Sequence, residues 1–488
     1  MSGLRSSCAV AALMLAASEG AMAQTAPAAA PVGTVISFLD GEPGKLTVAG
    51  ITVSGTVDIG FGYQSHGAPM NAHYTAAQAY IVQKASNREH SGFSPAGLQQ
   101  NSLAISGKQT LTNLTGIDGL SGWSLLFRGE TGFNPLSGQL SDSPRSLAQQ
   151  NGVPITQQTS SGDSSRAGQF FNGDAYVGIA NTQLGELRFG RNSNLMQEGL
   201  AAFDPQMSSV AFSPFGYSGN SGGLGVTEDG RHDNSFKYKN TVGPAHFAVD
   251  LAYLNPRGEG GNGYEVSGGF DIGALTIDGV YGKKKDAIAA APLSAPDCVA
   301  AKLGANCNQT DIVNATISDN RAFAIMAKLK LGAATLFAGF EDVHFANPTD
   351  LLTSGHAAGG HNVFKFTNNA YTTERIVDTS WMGMRYAFNP KLTGAVAWYH
   401  IEQNSFLAAA GAACKNAAKG NAQGNTTIGI SSNCGGRNEI VSATLDYQLT
   451  KRLDVYAGIG WSKVAGGLAS GFVKTEAVDP MVGARLKF

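Results

Sequence analysis

The feature that most constrains this chain is the sorting of its connections. Between residues 50 and 488, sixteen segments alternate apolar and polar residues with period two. That is the pattern of a strand whose two faces meet different surroundings. In "GITVSGTVDIGFGY", Ile51, Val53, Val57, Ile59, Phe61 and Tyr63 share one face, and Thr52, Ser54, Thr56 and Asp58 share the other. Tight turns ("NTQ", "TVG", "DIGA", "KLG", "FNPK", "LTK") alternate with long polar stretches at 64–99, 135–169, 193–231, 284–320, 345–375 and 404–437. A soluble sandwich has no reason to sort its loops by side. A barrel crossing an outer membrane does, with short periplasmic turns and long external loops. The pattern therefore predicts an all-β, transmembrane antiparallel β-barrel of about 16 strands.

Lipid offers the backbone no hydrogen-bond partner, so such a sheet must close on itself and leave no edge. In the terminal "MVGARLKF", Met481, Gly483, Arg485 and Lys487 alternate with Val482, Ala484, Leu486 and Phe488. This is predicted to be the last strand, closing on the first, with Phe488 at the membrane interface and Arg485 and Lys487 toward water. Tyr63, Phe127, Tyr238, Tyr253, Tyr281, Tyr386, Tyr447 and Trp461 fall near strand ends, where interfacial aromatic girdles belong.

The first 23 residues read as a secretory signal peptide: Arg5, the apolar "CAVAALMLAA", then "AMA" before Gln24. An Ala/Pro-rich segment follows at 24–46, and 47–488 is assigned to the barrel. Charged residues make up 14% of the chain, well under the roughly 25% of ordinary soluble domains. A formal net charge of −2 gives no basic footprint for nucleic acid. Four cysteines remain after the signal, and export permits their oxidation. Local pairing is expected, Cys298 with Cys307 inside 284–320 and Cys414 with Cys434 inside 404–437.

Several segments, in order, resemble the Gram-negative general porins, particularly their β-proteobacterial branch. They are "SLAISGKQTL" with "GLSGWSLLFRGETGFNPLSG", "GQFFNGDAYVGIANTQLGELRFGRN", "GRHDNSFKYKN", and "LTKRLDVYAGIGWSK" with "VGARLKF". The resemblance runs from about residue 50 to 488. It implies a 16-stranded, water-filled, usually trimeric channel for passive diffusion of small hydrophilic solutes and ions. Its implied partners are a second and third copy of the chain, outer-membrane lipid and lipopolysaccharide. A terminal Phe488 read by the barrel-assembly machinery is implied too, as is a third external loop folded inward at about 193–231. The chain departs from its relatives at Ser102, Ser106 and Gly173, where they commonly carry basic residues. That implies a thinner basic wall and weaker anion selectivity.

Parity then assigns the lumen. Leu125 and Phe127 face lipid, so Arg128 and Glu130 face the pore; the same reasoning turns Glu186, Arg188, Lys237, Lys239 and Lys108 inward. The loop adds Glu198, Asp204, Glu228 and Asp229. Acids on a loop opposite cations on a wall set up a transverse field across a narrow pore. By the same parity Asp58, Asp174, Asp250, Glu265, Asp271 and Asp278 also face inward, so acids outnumber bases and a slight lean toward cations is expected. No nucleophile elbow is present. His356 and His361 in "GHAAGGH" have no cysteine or carboxylate cluster beside them, so no catalytic residue, cofactor or metal is expected. The alternative function is a substrate-specific channel of the same fold, for a sugar, phosphate or an organic acid.

Overall fold

A computed structural model describes residues 38–48, 50–66, 89–136, 138, 170–216, 230–252, 262–292, 295–302, 312–349, 357–358, 361–368, 373–406, 413–414, 428–431, 433–470 and 472–488. Sixteen strands form the wall. They are β1 (Ile51–Gln64), β2 (Ser102–Thr110), β3 (Trp123–Gly132), β4 (Ala175–Asn181), β5 (Gly185–Ser193) and β6 (Arg231–Val242). Next come β7 (Ala245–Ala252), β8 (Gly263–Ile272), β9 (Leu275–Pro292), β10 (Ile312–Leu331) and β11 (Ala334–Ala346). The last five are β12 (Arg375–Ala387), β13 (Leu392–Gln403), β14 (Gly436–Gln448), β15 (Leu453–Gly466) and β16 (Glu476–Lys487).

Each strand pairs antiparallel with the next, and β16 returns to β1 with Asp58 opposite Arg485 and Phe61 opposite Val482. The terminal residue completes the seam, because Gly55 N donates to the Phe488 carbonyl at 2.8 Å and Phe488 N donates to the Gly55 carbonyl at 3.0 Å. The expected closed 16-strand sheet is what forms.

The exposed large side chains lie on the outward parity: Phe61, Leu103, Ile105, Val177, Phe189, Phe236, Ile325 and Val482 among them. An apolar outer face is stable only against lipid. On β11–β14 this band gives way toward the long-loop rim to Asp342, Asp378, His400 and Glu439, with His400 Nδ1 2.6 Å from Glu439 Oε1. Charged groups at outward positions place that rim in the headgroup region and in water.

Two strands run past their expected ends. The hairpin of β9 and β10 was expected to stop near 283 and resume near 321. Instead Ala287–Pro292 pairs with Val313–Ser318, beyond a register shift between Lys284 and Ala287. Short strand His361–Asn368 then pairs parallel with the outer part of β10. "DAIAAAP" and "IVNATIS" carry few charges and leave the backbone free to continue its ladder. β1 also changes neighbours along its length. Its lower half pairs with β2, and its upper half pairs with His90–Ser94.

The apolar core lies inside the barrel. Leu195, Met196, Leu200, Phe203, Phe212 and Phe215, from the segment after β5, pack against Val280, Met326, Val343, Trp381, Tyr399 and Tyr456 of the wall. Cys414 and Cys434 are paired, with Cα atoms 5.6 Å apart. Cys298 is disulfide-bonded as well, while Cys307 lies outside the described residues.

Candidate functional site

The segment following β5 starts as a helix, Leu195–Ala202, capped by Asn194, whose side chain accepts from Gln197 N at 2.7 Å. The helix buries Leu195, Met196 and Leu200 against inward residues of β9 and β10. Gly199 lets it close on Val280 and Met326, since a Cβ there would come within 2.8 Å of the Met326 methyl. The chain then crosses to β12–β14. Trp381 Nε1 donates to the Phe203 carbonyl at 3.0 Å, and Arg385 donates to the Pro205 carbonyl at 3.2 Å. Gln206 bonds Ser442 at 3.1 Å and Thr444 at 2.9 Å. The Phe215 ring stands edge-on to Trp381 and Tyr399, with centroids 4.9 and 5.6 Å away. Phe212 seats over Gly458, where any Cβ would collide with its ring.

Asp204 was expected to line the pore, and it does not. It is fully buried. Its carboxylate accepts from Gln206 N at 3.0 Å, from Ser208 N at 2.7 Å, and from the Tyr399 and Ser213 hydroxyls. Burial raises its pKa above the ordinary value, against the opposing pull of these hydrogen bonds. Asp204 is therefore an internal anchor. It braces a turn in which Met207 and Ser208 both sit at positive φ, 55° and 51°, a conformation non-glycine residues adopt rarely and at a cost of about 1–3 kcal/mol each.

The remaining loop acids divide. Glu198 meets Lys237 Nζ at 2.6 Å, a contact pair that ties loop to wall and neutralises both charges, so it sets up no field across the passage. Glu228 and Asp229 lie outside the described residues. On the wall, Arg128 pairs with Glu130 and Arg188 with Glu186, so those charges are neutralised locally. The Arg188 guanidinium also lies over the Tyr176 ring, 4.3 Å from its centroid. Lys237 is buried and donates to the Ser193 carbonyl at 2.7 Å. Lys108 is exposed, and neither it nor Lys239 makes an ion pair among the described residues.

Much of the expected excess of lumen acids is not available to passing ions, though Asp271 stays exposed. Asp58, Asp250 and Glu265 are all fully buried beneath inward-folded backbone, and Glu130 and Glu186 are paired. Basic groups outside the expected set gather toward the short-turn rim. Beside the inner segment a cavity of about 490 Å³ is bordered by Gln197, Gln206, Arg385, Asp446, Arg485 and Lys487. Arg485 bonds Asp446 at 2.9 Å and Asp454 at 3.0 Å, and Lys487 bonds Asp454 at 2.7 Å. Arg385 has no carboxylate within ion-pair distance among the described residues.

A second inward excursion was not anticipated. Residues 95–101 fold over the wall beside β1, where Asp58 accepts from Leu98 N at 2.8 Å, Gln99 N at 2.7 Å and the Tyr456 hydroxyl at 2.6 Å. The excursion touches the first one, since Ala211 N donates to the Gly97 carbonyl at 2.8 Å. "SPAG" just before β2 is the sequence signal for it: proline and glycine interrupt the alternation there.

The model of the family described as Gram-negative porin matches residues 9–467. Comparison with curated protein sequences returns no match. Among solved structures, the anion-selective porin from Comamonas acidovorans is similar with a TM-score of 0.54 at 13% identity, over 90% of this chain and 99% of that one. A loop L8 deletion mutant of OmpT, an outer membrane protein of Vibrio cholerae, is similar with a TM-score of 0.52 at 10% identity, over 90% and 99% of the two chains. At these identities the structural likeness speaks for the fold alone.

Proposed function

The chain belongs to the Gram-negative porin family, and from that premise we propose that residues 195–216 form the constriction that sets what passes. The protein is an outer-membrane channel for passive diffusion. The observation that carries the proposal is the anchoring of this segment inside the barrel, through Trp381, Arg385, Tyr399, Ser442 and Thr444. A loop held at that many points is a fixed part of the pore wall. Small hydrophilic solutes and ions pass beside it, without a catalytic step.

Selectivity in this reading is weak. Arg128, Arg188 and Arg485 sit in adjacent opposite-charge pairs, and an exposed pair interacts by only about 1 kcal/mol at contact in water, screened over roughly 8 Å at physiological salt. The expected lean toward cations is replaced by a slight lean toward anions, because Arg385 borders the cavity with no carboxylate within ion-pair distance among the described residues. Reversal potentials in planar bilayers under a salt gradient test this. Arg385→Gln, which keeps a donor for the Pro205 carbonyl, is expected to shift the potential toward cations by a few millivolts to about ten, the scale of a sub-kcal/mol bias. A firmly cation-selective unmodified channel, or no shift in the variant, would count against it.

Self-association as a homotrimer through the outer surface near β1 and β16 is part of the same proposal and rests on the family resemblance. Cross-linking in native outer membranes is expected to give a ladder ending at three copies. Monomers alone would remove the claim.

A further inference from the structure

Three inward residues on adjacent strands are left with unused ligand atoms. His232 on β6, Asp250 on β7 and Glu265 on β8 are all essentially fully buried. Asp250 and Glu265 are direct partners across the β7–β8 ladder, and like charges placed opposite one another destabilise a sheet. The lysine opposite Asp250 on β6 is Lys237, but its ammonium is taken up by Glu198 at 2.6 Å and the Ser193 carbonyl at 2.7 Å. Lys284 is also buried and close enough to act on His232.

Hydrogen bonding tells the same story. His232 Nδ1 lies 3.1 Å from Asp250 Oδ2. Glu265 Oε2 accepts from Leu195 N and, at 3.4 Å, from Met196 N, the first amides of the inner helix. Their other atoms, His232 Nε2, Asp250 Oδ1 and Glu265 Oε1, are buried with no hydrogen-bond partner among the described residues. Three orphaned polar atoms in one pocket cost about 1–3 kcal/mol each, and such groups persist where something else satisfies them. One ligand atom from each residue lies within 4.8 Å of the others. A four-coordinate ion about 2.1 Å from each donor needs them about 3.4 Å apart, so small side-chain rotations close the site.

We propose that His232, Asp250 and Glu265 bind a divalent transition-metal ion of the zinc class, which ties the first turn of the inner helix to the wall. One imidazole and two carboxylates form a nitrogen–oxygen donor set that suits Zn²⁺ and disfavours the all-oxygen preference of Ca²⁺ and Mg²⁺. Glu265 carries the coupling, holding the ion with one oxygen and the helix amides with the other.

The test uses full-length, chelator-treated protein in detergent, dialysed against Zn²⁺ alone. Elemental analysis is expected to find one ion per chain, undisplaced by millimolar Ca²⁺ or Mg²⁺. Asp250→Asn and His232→Ala are expected to weaken uptake at least about tenfold, the lower bound for losing a supporting group, with the barrel still folded by heat-modifiable migration. Should a variant fail to fold, titration of the unmodified protein with Co²⁺ decides. The strong visible d–d bands of a four-coordinate site support the proposal. Substoichiometric uptake with no such bands would overturn it and leave Asp250 and Glu265 sharing a proton. Uptake unaffected by either folded variant would overturn it as well.

Discussion

Asp204→Ala is expected to release the inner segment from the wall, giving larger and noisier single-channel currents and a large loss of stability. The carboxylate satisfies two backbone amides and two hydroxyls in a fully buried pocket. Alanine leaves those donors without a partner, at about 1–3 kcal/mol for each that water cannot reach. It also removes the brace on Met207 and Ser208, which hold positive φ side by side and would relax at once. The reversal potential should barely move, because the residue does not face the passage. A variant with unchanged current noise and stability, but a shifted reversal potential, would make Asp204 a pore-facing charge after all.

The same residue predicts a pH dependence. Burial raises its folded-state pKa above the ordinary 3.8, so the folded protein binds this proton more tightly than the unfolded chain does. The stability this contributes is complete below about 3.8 and is lost as pH rises through the folded value. Mild acid should therefore quiet the channel, and Asp204→Asn, which cannot ionise, should flatten that response. Denaturant midpoints and current noise across the acidic range are the measurements. A channel that grows noisier on acidification would contradict the sign.

The outer half of this design was legible in the sequence and the inner half was not, for a physical reason. Lipid demands an apolar outward parity on every strand, so Phe61, Leu125, Phe189 and Phe236 announce both the barrel and the direction of each side chain. Inward positions face water, a loop or a neighbour's side chain, and alternation alone cannot tell these apart. It correctly turned Asp58, Asp250 and Glu265 inward, yet could not say that folded-in backbone would cover them. A clue was present all the same. On β10 and β13 both parities are apolar, with Ala322, Ala324 and Met326 against Phe323 and Ile325, and Tyr399 and Ile401 against Val396. A strand that is greasy inside as well as outside has something dry to pack on. Asp204 misled for the complementary reason: an acid on a glycine-rich loop reads as solvated, and only its four donors show otherwise.

Asp58→Ala is the other substitution expected to have a large effect, and it acts on the seam of the barrel. Asp58 joins β1 to the excursion at 95–101 and, through the Tyr456 hydroxyl, to β15, so it spans the closure made by β16. Removing it strands the Leu98 and Gln99 amides and the tyrosine hydroxyl, again about 1–3 kcal/mol apiece. Tyr456→Phe removes one bond and keeps the packing, so it should cost only about 1 kcal/mol. Urea unfolding in detergent should rank them in that order, and equal midpoints for Asp58→Ala and the unmodified protein would refute the role. Because the excursion at 95–101 also accepts Ala211 N, the seam and the constriction share a contact. A double-mutant cycle between Asp58→Ala and Asp204→Ala should then show coupling of at least about 0.5 kcal/mol, the level that separates touching networks from independent sites. Additive losses would mean that the two inward segments are held separately, each by its own stretch of wall.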